Sequence, residues 1–285
     1  MIKSIQYDTL LKSSFLMWFE HNLLTGLQAF ENHSSDLYDI KDQYSNHFTF
    51  AAPYKGIISD DSVPNATVMS GVYIGGTFSA KGANNLVDID FDESQVIFSA
   101  EPGAVISGDY AVKDYNVKLT DRSQENVIFE SRFELKPSTT NNIANTGLQP
   151  NTETFPVIYL MVQSSKNEEA AFGGQELTMT RIRAISFSDS LFAADSIDSM
   201  FRDKVRVCFP IFDEADMPFN AWGGLITSYS YTGMSATKGP GNMAFIDNVR
   251  VSRIDSSNIS SENTDIFVSV IDFDVEKYRF PRGSS

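Results

Sequence analysis

The chain has three histidines, one cysteine and many carboxylates from which a reaction centre could be built. His21, His33 and His47 would have to cover most base catalysis and metal binding. No His-Glu-x-x-His pair occurs, and the spacing of His33 and His47 carries no ligand logic, so all three read as surface or satisfied core residues. Asp88, Asp90 and Asp92 resemble the start of a calcium loop. That loop needs glycine at its sixth position and a bidentate acid at its twelfth, where Glu93 and Ser99 stand, so the match fails. On a strand these three carboxylates share one face at about 7 Å spacing and are expected to sit in water. Asp272 and Asp274 pose the same question and receive the same answer. Paired carboxylates for glycoside hydrolysis could be drawn from 37 acids, and no motif singles out two of them.

The remaining reactive types are no more specific. Cys208 lies in the apolar run Val205 to Phe209 and is expected to be a buried, inert thiol. A single cysteine permits no internal disulfide and no cysteine-based zinc site. There is no Gly-x-Ser-x-Gly elbow. Thr237-Lys238-Gly239-Pro240-Gly241 places its lysine before the glycines, the wrong order for a phosphate loop. Gly71 to Gly76 and Gly173-Gly174 read as turn glycines. Trp222 is the one plausible sugar-stacking platform, although a loop-anchoring core role suits it better. The expectation is therefore a protein without catalytic residues, cofactor or metal.

Bulk properties narrow the class. The 285 residues carry 22 basic and 37 acidic side chains, a net charge of −15. Wrapping nucleic acid needs clustered Lys and Arg, so direct nucleic-acid binding is disfavoured. No apolar run approaches the roughly 20 residues that span a bilayer. Ser13 to Phe19 is too short and too soon interrupted by Glu20 and His21 to act as a signal peptide. Synthesis in a reducing cytoplasm is expected.

The elements that would position these residues are mainly strands. Residues 86–120 alternate apolar and polar and read as strand, turn, strand, turn, long strand. The long run changes phase: Ile106, Tyr110 and Val112 are even, Tyr115, Val117 and Leu119 odd, and a bulge or bend near Lys113-Asp114 would absorb the slip. Further strands are expected at 47–51, 68–78, 126–135, 155–162, 177–187, 205–212, 223–231, 243–254 and 265–280, with loops at 164–176 and 232–242. A long helix is expected over 7–32, running through Gly26. A short second helix, capped by Ser188 or Asp189, is expected to reach about Lys204 and to bury Ala193, Ile197, Met200 and Phe201. The fold class is thus mainly β, with antiparallel sandwich-type cores, a long N-terminal helix and one short helix in the C-terminal half.

Residues 1–136 would form a helix plus a β-rich domain and 157–285 a second β-rich region, or one domain continuous with the first. Between them, 137–156 is polar and Pro-, Asn- and Thr-rich, and reads as a linker or an arm. The first helix is apolar over a wide sector. One reading is a helix sunk between a sheet and a loop of its own chain. The other makes Phe15, Trp18, Phe19, Leu23 and Leu27, with Phe30, an assembly interface, in which the helix packs on its own sheet and on a neighbouring copy.

Several stretches resemble virion structural proteins of tailed bacteriophages. They are Ser14 to His21, Ala52-Pro53-Tyr54-Lys55, Ser70 to Gly76, Tyr110 to Asp114, Ala171 to Gly174 and Phe245 to Arg253. The resemblance implies a non-enzymatic ring or collar component at the head–tail neck or tail. It further implies identical subunits and other virion proteins as partners, and the virion as location. The competing reading is a carbohydrate-binding or glycan-active β-sandwich protein.

Overall fold

In a computed structural model of the chain, the structure describes residues 6–40, 46–128, 136–137, 154–171, 174–219, 225, 227–254 and 266–280. The core is mainly β, with curled, half-barrel and flat sheets, a long N-terminal helix and a short helix in the C-terminal half.

The long helix α1 spans Tyr7–Gly26. It stops six residues short of the expected end, and Gly26 is its last residue rather than an interior one. Gln28 then takes a positive φ of 51°, which turns the chain so that β1 (Phe30–Asp36) can start. Gly26 has a further reason to be small: a Cβ there would lie 2.9 Å from Met200 Sδ.

β2 (Tyr38–Ile40), β3 (Phe48–Ala51), β4 (Gly71–Ile74), β5 (Thr77–Ala80), β6 (Leu86–Asp90), β7 (Gln95–Phe98) and β8 (Ile106–Lys113) follow. They form two four-stranded antiparallel sheets, ordered β1-β8-β4-β5 and β2-β3-β7-β6. The expected strand over 68–78 is a hairpin, because Gly75 and Gly76, at φ 56° and 84°, supply the two left-handed positions of a tight turn. The sheets share a core in which Val72, Leu86, Ile89, Val96, Phe98, Ile106 and Tyr110 are buried.

The phase change read near Lys113-Asp114 is a change of sheet. β8 ends at Lys113, Asp114 and Tyr115 intervene, and β9 (Asn116–Leu119) joins a different sheet beside β12 (Val157–Ala171). The slip is absorbed by the bend at Asp114-Tyr115 rather than by a bulge, and the chain changes strand partner there. The pairing of β9 with β12 is parallel, over Val157–Leu160, in an otherwise antiparallel six-stranded sheet ordered β14 (Cys208–Pro210), β15 (Met243–Ile254), β16 (Phe267–Arg279), β13 (Gln175–Ser188), β12, β9.

Short β10 (Lys136–Pro137) and β11 (Thr154–Phe155) pair with each other, and the rest of the linker-or-arm segment, 138–153, lies outside the described residues. β12 (Val157–Ala171) and β13 (Gln175–Ser188) form one long hairpin. The polar 164–176 stretch, expected as a loop, supplies the hairpin's outer end. Main-chain pairing needs no apolar side chain, and Thr178, Asn167, Ser165 and Thr180 bond one another across the strands.

α2 (Leu191–Arg202) is capped by Ser190, one residue after the expected cap, whose Oγ accepts from Ala193 N at 3.2 Å. Ala194, Ile197 and Phe201 are buried, while Ala193 and Met200 are partly so. β14 (Cys208–Pro210) is shorter than its apolar run suggests. Of the strand expected over 126–135, residues 126–128 belong to a helical stretch over 124–128, and 129–135 fall outside the described residues. Of the strand expected over 223–231, residues 223, 224 and 226 are outside the description, Tyr229 makes an isolated bridge to Asp60, and Tyr231 opens helix α3 (Tyr231–Ala236). β15 (Met243–Ile254) and β16 (Phe267–Arg279) close the sheet where they were expected.

One core joins the chain's beginning to its end. Leu11, Phe15, Met17, Trp18, Phe19 and Leu23 of α1 are buried with Ile158, Ile182, Ile197, Phe201, Phe209 and Phe273. Phe15 meets Phe209 and Phe273 edge-on, at 5.5 and 5.1 Å. Each such ring removed from water contributes about 1.5–3 kcal/mol.

Candidate functional site

Phe15, Phe19, Leu23 and Trp18, the heart of the proposed assembly interface, have relative exposures of 0, 0, 1 and 4 %. The expectation that they meet a neighbouring copy is corrected: side chains this enclosed present no surface to another molecule. The wide apolar sector of α1 has two partners inside the chain, the six-stranded sheet and α2. Leu27 packs at the margin of that core, and Phe30 beside Leu24, Ile58, Val63 and Ala111, both partly buried. Trp18 is likewise no sugar platform, and Trp222 lies outside the described residues.

A cleft of about 430 Å³, lined by both charged and apolar side chains, opens where α1, Lys55, the β6–β7 turn, the end of β8 and β9 meet Phe219, Leu225 and Tyr229. Glu20, Lys55, Asp92, Glu93, Lys113 and Tyr229 bring their functional groups to it. Lys113 and Glu20 form an ion pair whose side chains are only 6 and 11 % exposed. Burial alone pushes the Lys113 ammonium down, but Glu20 and Asp92 outweigh it, and the net shift is upward. Lys55 Nζ sits 2.7 Å from Glu93 Oε2. Tyr229 is held well above its ordinary range, first by burial and then by Glu20 and Asp60. Lys55 and Lys113 are thus bound to Glu93 and Glu20, and Tyr229 is kept protonated beside them.

These residues come from five distant segments, and no spacing rule could gather them. A signal was present all the same. Glu20 interrupts the buried run Phe15–Leu24, and Lys113 follows the buried Tyr110-Ala111-Val112, so each charge stands where the pattern calls for an apolar side chain.

Beside the cleft, His21 Nδ1 lies 2.7 Å from Asp60 Oδ2. Oδ1 of the same carboxylate accepts from Ser62 N at 3.0 Å, Ser62 Oγ at 2.6 Å and Tyr231 N at 3.0 Å. Burial pushes the Asp60 carboxyl up, but the hydrogen bonds from His21, Ser62 and Tyr231 outweigh it, leaving it below the usual carboxylate range. The His21 ring stacks on Tyr231 with centroids 4.5 Å apart. Ser62 Oγ donates to the carboxylate, not to the imidazole, so these residues do not form a nucleophile–base relay. Their geometry is that of a clasp joining α1, the 57–63 loop and the start of α3.

The other residues considered for chemistry are dispersed. Asp88 pairs with Lys81 at 2.5 Å. Asp90 accepts from the amides of Asp92 and Glu93, closing the β6–β7 turn. Asp272 takes a two-pronged bond from Arg183, at 2.6 and 2.8 Å, and Asp274 bridges Arg181 and Arg250, at 2.9 Å each. His33 stacks on Tyr54, and Lys238 pairs with Asp213 and Asp216. Cys208 is exposed, contrary to expectation, because β14 is an edge strand and Cys208 begins it. Among the described residues, no three His, Cys, Asp or Glu side chains are grouped to hold a metal ion.

No protein-family model matches this chain, and no curated protein matches it.

Proposed function

We propose that this chain is a non-enzymatic structural component of a tailed-phage virion, a ring or collar piece at the head–tail neck or tail that works through repeated contacts with identical subunits and other virion proteins. The supporting observation is the long β12–β13 hairpin. Every residue from Gln163 to Ala171 is exposed, yet the strand stays paired to its partner almost to the tip. An ordered strand with both faces in solvent gains little from burial within its own chain and suits contact with a neighbour. The resemblance to virion proteins points the same way. Three of the stretches that carry it deliver Glu20, Lys55 and Lys113 to the cleft, where each is paired inside the chain, as befits framework residues.

The glycan-binding alternative drew on Trp222 as its one plausible platform, and Trp222 lies outside the described residues. The test is mass spectrometry of purified particles, with imaging of the neck and tail. Finding the chain in the particle at a fixed copy number supports the reading. Absence from particles that contain the other neck and tail proteins overturns it.

A further inference from the structure

Among the described residues, the outer edge of β12 is open for most of its length. β9 covers only Val157–Leu160, and among the described residues no strand pairs with that edge beyond Leu160. A row of unpaired main-chain donors and acceptors on an exposed strand is a template for another strand. Between the register irregularities at Val162/Ser164 and Glu169/Ala171, residues Ser164–Glu169 run regularly. Bulges commonly end a pairing, so this run is the usable template.

Its charges select both an occupant and a register. Lys166 and Glu168 point to the same face, 64 and 50 % exposed, and their charged ends lie 2.6 Å apart. When a strand pairs with its own copy across a two-fold axis normal to the sheet, one residue faces itself and its neighbours face each other in mirror order. Centring on Lys166 opposes two lysines, and centring on Glu168 or Glu169 opposes two glutamates. Centring on Ser165 opposes Ser164 to Lys166 and gains no opposite pair. Centring on Asn167 opposes Lys166 to Glu168 twice and Ser165 to Glu169 twice, all within the regular run. Only that register sets unlike charges against each other, producing a square of alternating sign, because each lysine already touches the glutamate of its own strand.

We infer that Ser164–Glu169 is a strand-addition edge for a second copy of this chain, antiparallel and centred on Asn167. The alternation also guards the edge, since the neighbouring registers bring like charges together. This two-fold contact is separate from the head-to-tail contacts that close a ring, and it stands or falls on the isolated chain, whatever particle contains it.

The test is the mass of the full chain in solution by analytical ultracentrifugation over a range of concentrations. The expected species is a dimer. Lys166→Glu and Glu168→Lys should each weaken it on the order of tenfold or more, because two attractive pairs become repulsive. The combined swap, Lys166→Glu with Glu168→Lys, should restore it by rebuilding the square with signs reversed. Both side chains are exposed, so folding, checked by circular dichroism, should not change. In a second arm, Asn167→Cys in a Cys208→Ser background should cross-link two chains on mild oxidation. A single-chain mass at all concentrations overturns the inference. So does an assembly indifferent to the single substitutions, or one that the swap fails to rescue.

Discussion

Phe19 of α1 and Phe201 of α2 lie face to face, with ring centroids 3.9 Å apart and planes inclined by 8°. Neither ring has exposed surface. Phe273 meets both edge-on, so three elements far apart in sequence share one aromatic contact. The apolar face of α2 is thereby joined to the helix that opens the chain.

Phe201→Ala should therefore cost about 3–5 kcal/mol, the range for emptying a ring-sized space in a core. Phe201→Leu should cost less, because it keeps most of the volume. Urea denaturation followed by fluorescence would measure both. A change under 1 kcal/mol for the alanine variant would mean that α2 is not held through this contact.

The Glu20–Lys113 pair makes a different prediction. Removing one partner, as in Lys113→Met, strands a buried carboxylate and should cost about 3–5 kcal/mol. Replacing both, Lys113→Met with Glu20→Leu, should recover most of that loss, because a well-packed apolar pair is often as stable as a buried ionic one. A double-mutant cycle read by denaturation midpoint decides it, and a double variant as unstable as the worse single would contradict the reading.

Asp60 gives the chain an acid-sensitive clasp. Its folded pKa lies below the ordinary 3.8, so the unfolded chain takes up the proton more readily. Its stabilising contribution is therefore complete above the unfolded value and is lost as pH falls through the folded one. Asp60→Asn should lower stability at pH 7, and its gap from the parent should narrow below about pH 3.8. Denaturation curves of both proteins at pH 7, 5 and 3 test this, and a gap independent of pH would refute it.

Gly56 adopts φ 80°, and a Cβ there would lie 2.1 Å from Asn116 Oδ1, at the start of β9. Gly56→Ala combines left-handed strain with that clash and should destabilise by about 1–3 kcal/mol. Adding Asn116→Gly should relieve the clash and leave the strain. Thermal melts of the single and double variants separate the two causes.

Much of the architecture was legible because periodicity reports burial. The alternation of β15 and β16 and the face of α2 through Ile197 and Phe201 follow directly from it. The outer hairpin was not legible, since Lys166 to Glu169 pair through main-chain atoms and carry no apolar period. Cys208 sits in an apolar run, but the sequence does not say that its strand is at an edge. The surplus apolar sector of α1 was visible and its partner was not. A helix pattern shows how much surface must be covered, not whether the cover comes from the same chain. The cleft lay hidden because Glu20, Lys55 and Lys113 meet only after the sheets assemble.

Only Asp114 and Tyr115 separate the end of β8 from the start of β9, and those strands belong to different sheets. So short a tether has no slack. Tension applied at the large sheet would reach the sheet that holds β8 through two residues of chain, and neither could shift by much without dragging the other.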